Sequence, residues 1–206
     1  DHTSSLKAMK EYIAEEVKSR QIQEGQWIRA RGWNHDFFTD VNRFPTRYDL
    51  DEITKTNPIC IVRACGHACV VNSKALEMIG VDKNTKQVDG GRFDVDENGE
   101  PLGIFRENAL DLVYAKLPQP TREELKQMLI LAMKQLNSFG VTSAQTDDFV
   151  VFHGLDYHEI IQAYEELKEE GKMTVRINQQ NHFTNLNSLK EFVEEGHYTG
   201  LGGEFF

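Results

Sequence analysis

Apolar positions recur at helical spacing in several stretches of the chain and predict a series of amphipathic helices. The clearest begins at Thr121, where Thr121 and Glu124 fit a capping box, and its apolar face runs to a stop at Gly140. Helices are predicted over residues 5–24, around Leu50 and Ile53, from Ser73 to Gly80, and over 107–116, 121–140, 156–170 and 186–195.

Short runs rich in β-branched and aromatic residues separate these helices and predict strands. They read WIRARGW (27–33), ICIVRAC (59–65), VTSAQT (141–146) and TVRINQQ (174–180), and an Asn98-Gly99 turn predicts a β-hairpin. A strand followed by a helix recurs four times, which predicts a parallel sheet with helical crossovers. We therefore expect residues 1–206 to form a single α/β domain.

Polar residues follow four of the predicted strands, at their carboxyl ends. The four groups are Cys65, Gly66 and His67; Arg106 and Glu107; Gln145, Asp147 and Asp148; and Asn178, Gln180, Asn181 and His182. In parallel α/β folds the loops at these ends converge on the site of chemistry, so the four groups are candidate site residues. Structural alternatives exist for each group. A histidine can be satisfied by backbone, an acid is favoured in the first turn of a helix, and aspartates are common in turns.

The segment CGHACVVNS places Cys65, His67 and Cys69 two residues apart and raises the question of a zinc site. A structural zinc site normally has four ligands with a second ligand pair further along the chain. The sequence contains three cysteines and no second cysteine pair. We interpret the segment as two buried thiols flanking a histidine at a strand end, with Ser73 as the cap of the helix that follows.

Composition and charge restrict the class of partner. The formal net charge of -10 argues against nucleic acid. No apolar run approaches the roughly 18 residues of a membrane span, and the first residues lack the apolar core of a signal peptide. Three cysteines do not form a disulfide framework, so we expect a reduced, cytoplasmic protein. The chain does not begin with Met, and we expect a processed or excised piece of a longer protein.

Several motifs occur together in a recognisable order. They are RGWNHDFF (31–38), PTRYDLDEITKTNPICIVRACGHACVVNSKAL (45–76), DENGEPLGIFRENAL (96–110) and FGVTSAQTDD (139–148). In order and spacing this set resembles the YtcJ-like branch of the metal-dependent amidohydrolase superfamily, also called amidohydrolase family 3. Members of that family are (β/α)-barrel hydrolases with a small β-rich domain and one or two divalent metals, usually zinc.

The resemblance implies a role for individual residues. CGHACVVNS corresponds to the family segment GHA-x-x-VNS, which makes His67 a catalytic residue facing the substrate pocket. GIFRE corresponds to G-x-L-x-E, which makes Glu107 a metal-site carboxylate. Gln145 stands where the family commonly has a histidine. We assign Asp147 and His182 to substrate binding.

The resemblance also implies which parts of the enzyme are missing. The amino-terminal His-x-His metal pair of the family has no counterpart, and four βα units cannot close an eight-stranded barrel. We therefore expect a partial (β/α) TIM-type barrel that lacks the first and last strands. It would be the central fragment of an amidohydrolase that cleaves C–N bonds of a small-molecule substrate through metal-activated water.

Further expectations concern the fragment itself. Alone, it should be inactive and bind divalent metal weakly or not at all, and the open sheet edges of an incomplete barrel would allow a homo-oligomer. The alternative is a non-catalytic binding or regulatory module built on part of a hydrolase scaffold. An unrelated doubly wound α/β protein lacks support, because no glycine-rich nucleotide loop follows any predicted strand.

Overall fold

The computed structural model describes residues 4–152, 154–183, 186–201 and 203–206. The chain forms two compact units, Asp1–Leu117 and Pro118–Phe206, and each has its own hydrophobic core. The single domain expected over residues 1–206 stays a prediction, because compact units can belong to one domain or to two. Among the described residues, none of the helices combines the length and the apolar character of a membrane span.

The first unit is a five-stranded sheet with helices on both faces. Its strands are β1 (Ile28–Trp33), β2 (Ile59–Arg63), β3 (Ala68–Val71), β4 (Gly91–Val95) and β5 (Pro101–Glu107), in the order β1-β2-β3-β5-β4. Its helices are α1 (Leu6–Ser19), α2 (Arg47–Asp51), α3 (Ser73–Ile79) and α4 (Leu110–Tyr114), and His35–Phe37 form one 3₁₀ turn. The predicted hairpin around Asn98-Gly99 is confirmed as β4 and β5.

The prediction of parallel strands joined by helical crossovers is wrong for most of this unit. Among the described residues of this unit, β1 and β2 pair in parallel, whereas β2–β3, β3–β5 and β4–β5 are antiparallel. The cause is a tight turn in which the Gly66 amide donates to the carbonyl of Arg63 at 2.9 Å, with Gly66 at φ 81°. This turn sends the chain straight back as β3, a strand that the sequence analysis missed. Two apolar runs separated by residues 63–67, with a glycine among them, are the signal that could have revealed it.

Strands β2 and β3 consist almost entirely of apolar residues because both faces of the sheet are covered. One face packs Cys69, Val71 and Phe105 against α3 and α4. The opposite face packs Ile61 and Val70 against α1 and α2. Alternate side chains of one strand therefore enter two different cores, which accounts for the continuous apolar run in the sequence.

Asn72 caps helix α3, and not Ser73 as predicted from the sequence. The buried Asn72 side chain accepts hydrogen bonds from the amides of Ala75 (3.0 Å) and Ile59 (2.9 Å). Its amide group donates to the carbonyls of Asn57 (2.9 Å) and Thr54 (3.2 Å). One side chain thus ties the start of β2, the start of α3 and the loop before β2 together.

The second unit is an α/β arrangement around two parallel strands. Its elements are α5 (Arg122–Ser138), β6 (Ser143–Thr146), α6 (Asp148–Val151), α7 (Tyr157–Glu169), β7 (Arg176–Gln179) and α8 (Leu186–Glu194). Strands β6 and β7 pair in register from Ser143↔Arg176 to Thr146↔Gln179, so the predicted parallel pairing is confirmed here. The capping box is also confirmed, since the Glu124 carboxylate accepts from the Thr121 amide (2.8 Å) and the Thr121 hydroxyl accepts from the Glu124 amide (3.3 Å).

Candidate functional site

His67 and Glu107 lie side by side in the first unit. His67 immediately precedes β3 and Glu107 is the last residue of β5. The antiparallel register that pairs Ala68 with Arg106 also places these two residues opposite each other. The Glu107 amide donates to the His67 carbonyl (3.1 Å), and His67 Nδ1 lies 3.0 Å from Glu107 Oε2. Both residues were predicted to belong to a site at the carboxyl ends of parallel strands, but the antiparallel pairing of β3 and β5 is what brings them together.

Glu107 has a backbone conformation that is uncommon for a residue with a side chain. Its φ of 51° is left-handed, and such strained residues cluster at functional sites. Helix α4 begins only at Leu110, so the alternative of an acid in the first turn of a helix is wrong. The left-handed residue ends β5 while the carboxylate stays at the surface beside His67.

The pair is open to solvent and electrostatically coupled. The side chains of His67 and Glu107 are 69% and 59% exposed. The hydrogen bond to Glu107, together with its negative charge, raises the pKa of His67. The described residues offer no hydrogen-bond partner to His67 Nε2 or to Glu107 Oε1. The pair therefore presents one ring nitrogen and one carboxylate oxygen outward.

The cysteines near His67 lie in two different environments. Cys69 is buried in β3 against Cys60, and the hydrogen bond with Cys60 and burial raise the pKa of the Cys69 thiol. Cys65 is exposed in the turn, so the prediction that it is buried is wrong. Partial burial raises the pKa of Cys65, but the His67 amide 3.4 Å from Sγ and nearby Arg63 outweigh it, and the net shift is downward.

We expect iodoacetamide to label the native chain at Cys65 alone, because only this thiol is both exposed and shifted toward the reactive thiolate. Intact-mass spectrometry should show one adduct in native buffer and three in denaturant, matching the three cysteines of the chain. The Cys65→Ser variant is the control and should remain unlabelled until it unfolds. Native labelling of Cys60 or Cys69 at a similar rate would contradict the burial of these two residues.

Asp147 and His182 form a second pair, in the second unit. Asp147 directly follows β6 and His182 lies just beyond β7, so the parallel strands bring their carboxyl ends together as expected. Asp147 Oδ2 lies 3.6 Å from His182 Nδ1. Asp147 Oδ1 is buried and has no hydrogen-bond partner among the described residues. Neighbouring Asp148 instead accepts from the Tyr164 hydroxyl (2.6 Å), and burial raises its pKa.

The second unit also contains a cavity of about 280 Å³. Two of the polar strand-end residues expected from the sequence, Asn178 and Asn181, line it. The aromatic part of the wall comes from Phe149, Phe192, Tyr198 and Phe206. Amide and aromatic groups together suit a small molecule with both polar and apolar parts.

Arg63 lies beside Cys65, just before the turn to β3, and was not among the site residues predicted from the sequence. Its guanidinium, at the end of β2, donates to Asn34 Oδ1 and Asp36 Oδ2, each at 2.8 Å. Asn34 and Asp36 belong to the RGWNHDFF motif, which was the available signal that this segment is held near the turn. No local pattern marks Arg63 itself, because its partners lie about 30 residues earlier in the chain.

Each pair supplies one imidazole and one carboxylate. Catalytic zinc is usually held by three protein ligands. Across the described ranges, no group of three or more His, Cys, Asp or Glu side chains is arranged to hold a metal ion. Neither pair by itself therefore fits a complete metal site.

Comparison with known proteins places the chain in a family. The profile of the amidohydrolase family matches residues 1–203. Of the similar proteins, YtcJ of Bacillus subtilis (strain 168), which is named as an amidohydrolase, is 32% identical over 173 residues. That match covers 84% of this chain and 31% of YtcJ. The N-substituted formamide deformylase of Arthrobacter pascens is 35% identical over 96 residues, covering 47% of this chain and 18% of that protein.

Solved structures share the fold. A metal-dependent hydrolase of Pyrococcus horikoshii superposes with a TM-score of 0.54 at 20% identity, covering 95% of this chain and 34% of that one. A metal-dependent hydrolase of Pyrococcus furiosus superposes with a TM-score of 0.53 at 23% identity, covering 98% of this chain and 37% of that one. The α/β class predicted from the sequence is confirmed.

The chain belongs to the amidohydrolase family. The resemblance to YtcJ-like proteins, predicted from four motifs in order, is thereby confirmed. The chain spans between 18% and 37% of the length of these relatives and solved structures.

Proposed function

We propose that the chain is a central portion of a metal-dependent amidohydrolase that hydrolyses C–N bonds in small molecules. The observation that carries this proposal is the His67–Glu107 pair, in which two motif residues meet at 3.0 Å although 40 positions separate them. Family membership supports the hydrolase class. The deformylase among the relatives acts, by its name, on N-substituted formamides, which supports an amide-type bond as the target.

Glu107 is the proposed carboxylate ligand for a divalent metal, for which we propose zinc. A bound zinc ion supplies a Lewis acid and an activated water in hydrolases of this kind. The described side chains do not complete such a site. We therefore propose that other parts of the complete polypeptide contribute the remaining ligands.

His67 is the proposed catalytic residue. Its Nδ1 is held by Glu107, so the ring is oriented, and in the doubly protonated imidazolium Nε2–H is left to donate to the substrate carbonyl oxygen. A positioned donor of this type stabilises the negative charge that develops on that oxygen during attack. In the second unit, Asp147 and His182 are the proposed substrate-binding residues. The buried, unpartnered Asp147 Oδ1 can accept from a substrate N–H.

For the complete protein we propose a (β/α) barrel of which this chain forms a part. Strand β6, helices α6 and α7, and strand β7 make one parallel β-α-β unit of the kind from which such barrels are built. The open strand edges of the fragment support self-association into a homo-oligomer. We further propose a cytoplasmic location, in keeping with the three free cysteines, and no nucleic-acid partner, in keeping with the net charge of -10.

Metal content distinguishes the chain from the complete protein. We expect elemental analysis of the purified 206-residue chain to give well under one zinc per chain, because the two pairs offer only two protein donors each. The complete polypeptide should retain about one or two zinc ions per chain and hydrolyse N-substituted formamides. One tightly held zinc per 206-residue chain would contradict the proposed division of ligands.

A non-catalytic binding or regulatory module is the second candidate function. It is favoured by Gln145 in β6, at a position where a histidine is common in the family. The zinc content and hydrolytic activity of the complete polypeptide also distinguish the two candidate functions. A complete polypeptide that retains no metal and hydrolyses no formamide, amide or urea substrate would favour the module.

A further inference from the structure

His158 lies between two carboxylates in the second unit. It is the second residue of α7, and its Nδ1 is 2.7 Å from Oδ1 of Asp156, the residue that caps the helix. Its Nε2 is 2.8 Å from Oε1 of Glu195, which directly follows α8. A neutral imidazole has one N–H donor and one lone pair, so it can donate to only one of these oxygens. Both contacts are satisfied only when the ring carries its second proton.

Glu195 connects the end of α8 to the start of α7. Its other oxygen, Oε2, accepts from the Tyr157 hydroxyl (2.9 Å) and lies 3.2 Å from His197 Nε2. The Glu195 amide donates to the Glu191 carbonyl (2.9 Å), so the carboxylate is attached rigidly to the last turn of α8. Glu195 thus joins two helices through contacts that depend on charge.

The segment that Glu195 anchors also forms part of the cavity wall. Phe192 of α8 and His197 both line the cavity of about 280 Å³. The Phe192 ring packs against Tyr157 at 5.6 Å and stacks on His197 at 4.3 Å. Three other side chains of α8, Leu186, Leu189 and Val193, are exposed, so the helix is held mainly through Phe192 and its carboxyl-terminal end. Loss of the Glu195 contacts would therefore loosen this wall.

We propose that Asp156, His158 and Glu195 form a pH-sensitive latch that fastens the end of α8 to the start of α7 and so closes one wall of the cavity in the second unit. The latch closes when His158 is doubly protonated and both acids are ionised. It opens when His158 loses one proton, since a ring lone pair then faces a carboxylate oxygen. This regulatory device is independent of the proposed hydrolytic reaction.

The direction of the pH dependence follows from the groups that face one another. Hydrogen bonding to Glu195, and then to Asp156, raises the pKa of His158 in the folded chain. The contribution of His158 to the stability of the latch is complete below the usual histidine pKa of about 6.5. It is lost as the pH rises through the raised pKa. Hydrogen bonding from His158 and Tyr157 lowers the pKa of Glu195. The contribution of Glu195 to the stability of the latch is therefore lost only as the pH falls through that lowered pKa.

The other groups around the latch do not reverse this direction. The backbone hydrogen bond from His158 lowers the pKa of Asp156, which keeps it ionised. Burial, the Glu195 hydrogen bond and the nearby charges of Glu195, Glu191 and Asp156 raise the pKa of Tyr157, so its hydroxyl remains a donor in mildly alkaline solution. The latch is therefore closed in mildly acidic solution and opens toward alkaline pH.

Hydrogen–deuterium exchange of the 206-residue chain, followed by mass spectrometry, tests the latch directly. Exchange of the peptide covering α8 is compared at pH 6 and pH 9 after correction for intrinsic exchange, with the α5 peptide as an internal reference. We expect protection of α8 to fall on the order of tenfold relative to α5, as for the loss of one hydrogen bond to a charged group. Equal relative protection at the two pH values would overturn the proposal.

Two variants and a matched control complete the experiment. His158→Gln and Glu195→Gln should each abolish the pH dependence and leave α8 as poorly protected at pH 6 as the unaltered chain is at pH 9. Glu194→Gln removes a neighbouring, exposed carboxylate and should keep the unaltered profile. If His158→Gln also lowers the protection of α5, the Glu195→Gln variant alone tests the latch. A pH dependence that persists in Glu195→Gln would exclude the latch.

Discussion

Glu107→Gln, a change at the proposed metal ligand, is expected to lower both the metal content and the kcat/KM of the complete polypeptide, the latter by at least about 100-fold. Residues that only orient metal ligands already contribute roughly 10–100-fold, and a ligand should contribute no less. Glutamine keeps the size of the side chain and its ability to accept from His67, so the change removes mainly the negative charge. Zinc by elemental analysis and steady-state hydrolysis of an N-substituted formamide are the two measurements.

Two further variants separate the role of Glu107 from that of its neighbour. His67→Gln should lower kcat by roughly 10²–10³-fold while metal content is retained, as expected for loss of a donor to the developing oxyanion. Glu97→Gln, in the exposed turn between β4 and β5, is the matched control and should leave both quantities unchanged. Unchanged zinc in Glu107→Gln would show that Glu107 is not a metal ligand, even if activity fell.

The largest loss of stability is expected for Asn72→Ala, at about 3–5 kcal/mol. The change removes four hydrogen bonds in a fully buried position and leaves the amides of Ile59 and Ala75 without their acceptor. Each buried polar group that loses its partner costs about 1–3 kcal/mol. Both tryptophans, Trp27 and Trp33, lie in the first unit, so their fluorescence during urea unfolding reports the stability of this unit.

Ser73→Ala is the comparison for Asn72→Ala, because the sequence first indicated Ser73 as the helix cap. The Ser73 hydroxyl donates to Asp51 Oδ2 at 2.6 Å, while the Ser73 amide keeps its own bond to Oδ1 in the variant. The expected loss is therefore about 1.5–3 kcal/mol, as for a single hydrogen bond to a charged group. If Ser73→Ala destabilised the unit as much as Asn72→Ala, the assignment of the cap would have to be reversed.

The candidate site shows where inference from sequence reached its limit. His67 and Glu107 could be selected because they fall in recognisable motifs, and the structure places them in contact. We expected this contact because both residues would follow parallel strands at the same edge of a sheet. That reason is wrong in the first unit, because β3 runs antiparallel beside β2. Asp147 and His182 meet for the expected reason, since β6 and β7 are parallel.

Burial of individual side chains was equally hard to infer. Cys65 and Cys69 are separated by only three residues, yet one lies exposed in a turn and the other faces the core beside Cys60. The difference in exposure depends on where β2 ends. The strand was predicted to end at Cys65, but it ends two residues earlier, at Arg63. Because side chains alternate between the faces of a strand, a small error in its boundary changes the predicted environment of each residue near it.

The sequence by itself determined the positions of most helices and strands, the capping box of α5, the hairpin of β4 and β5, and the family. These features depend on residues a few positions apart, or on ordered motifs, which can be read directly along the chain. Only the tertiary structure decided the strand order, the contact of His67 with Glu107, the four hydrogen bonds of Asn72 and the position of His158 between Asp156 and Glu195. Apart from the contacts of His158 with Asp156 and of Asn72 with Ala75, these contacts join residues distant in sequence, and their geometry is set by strand register and helix packing.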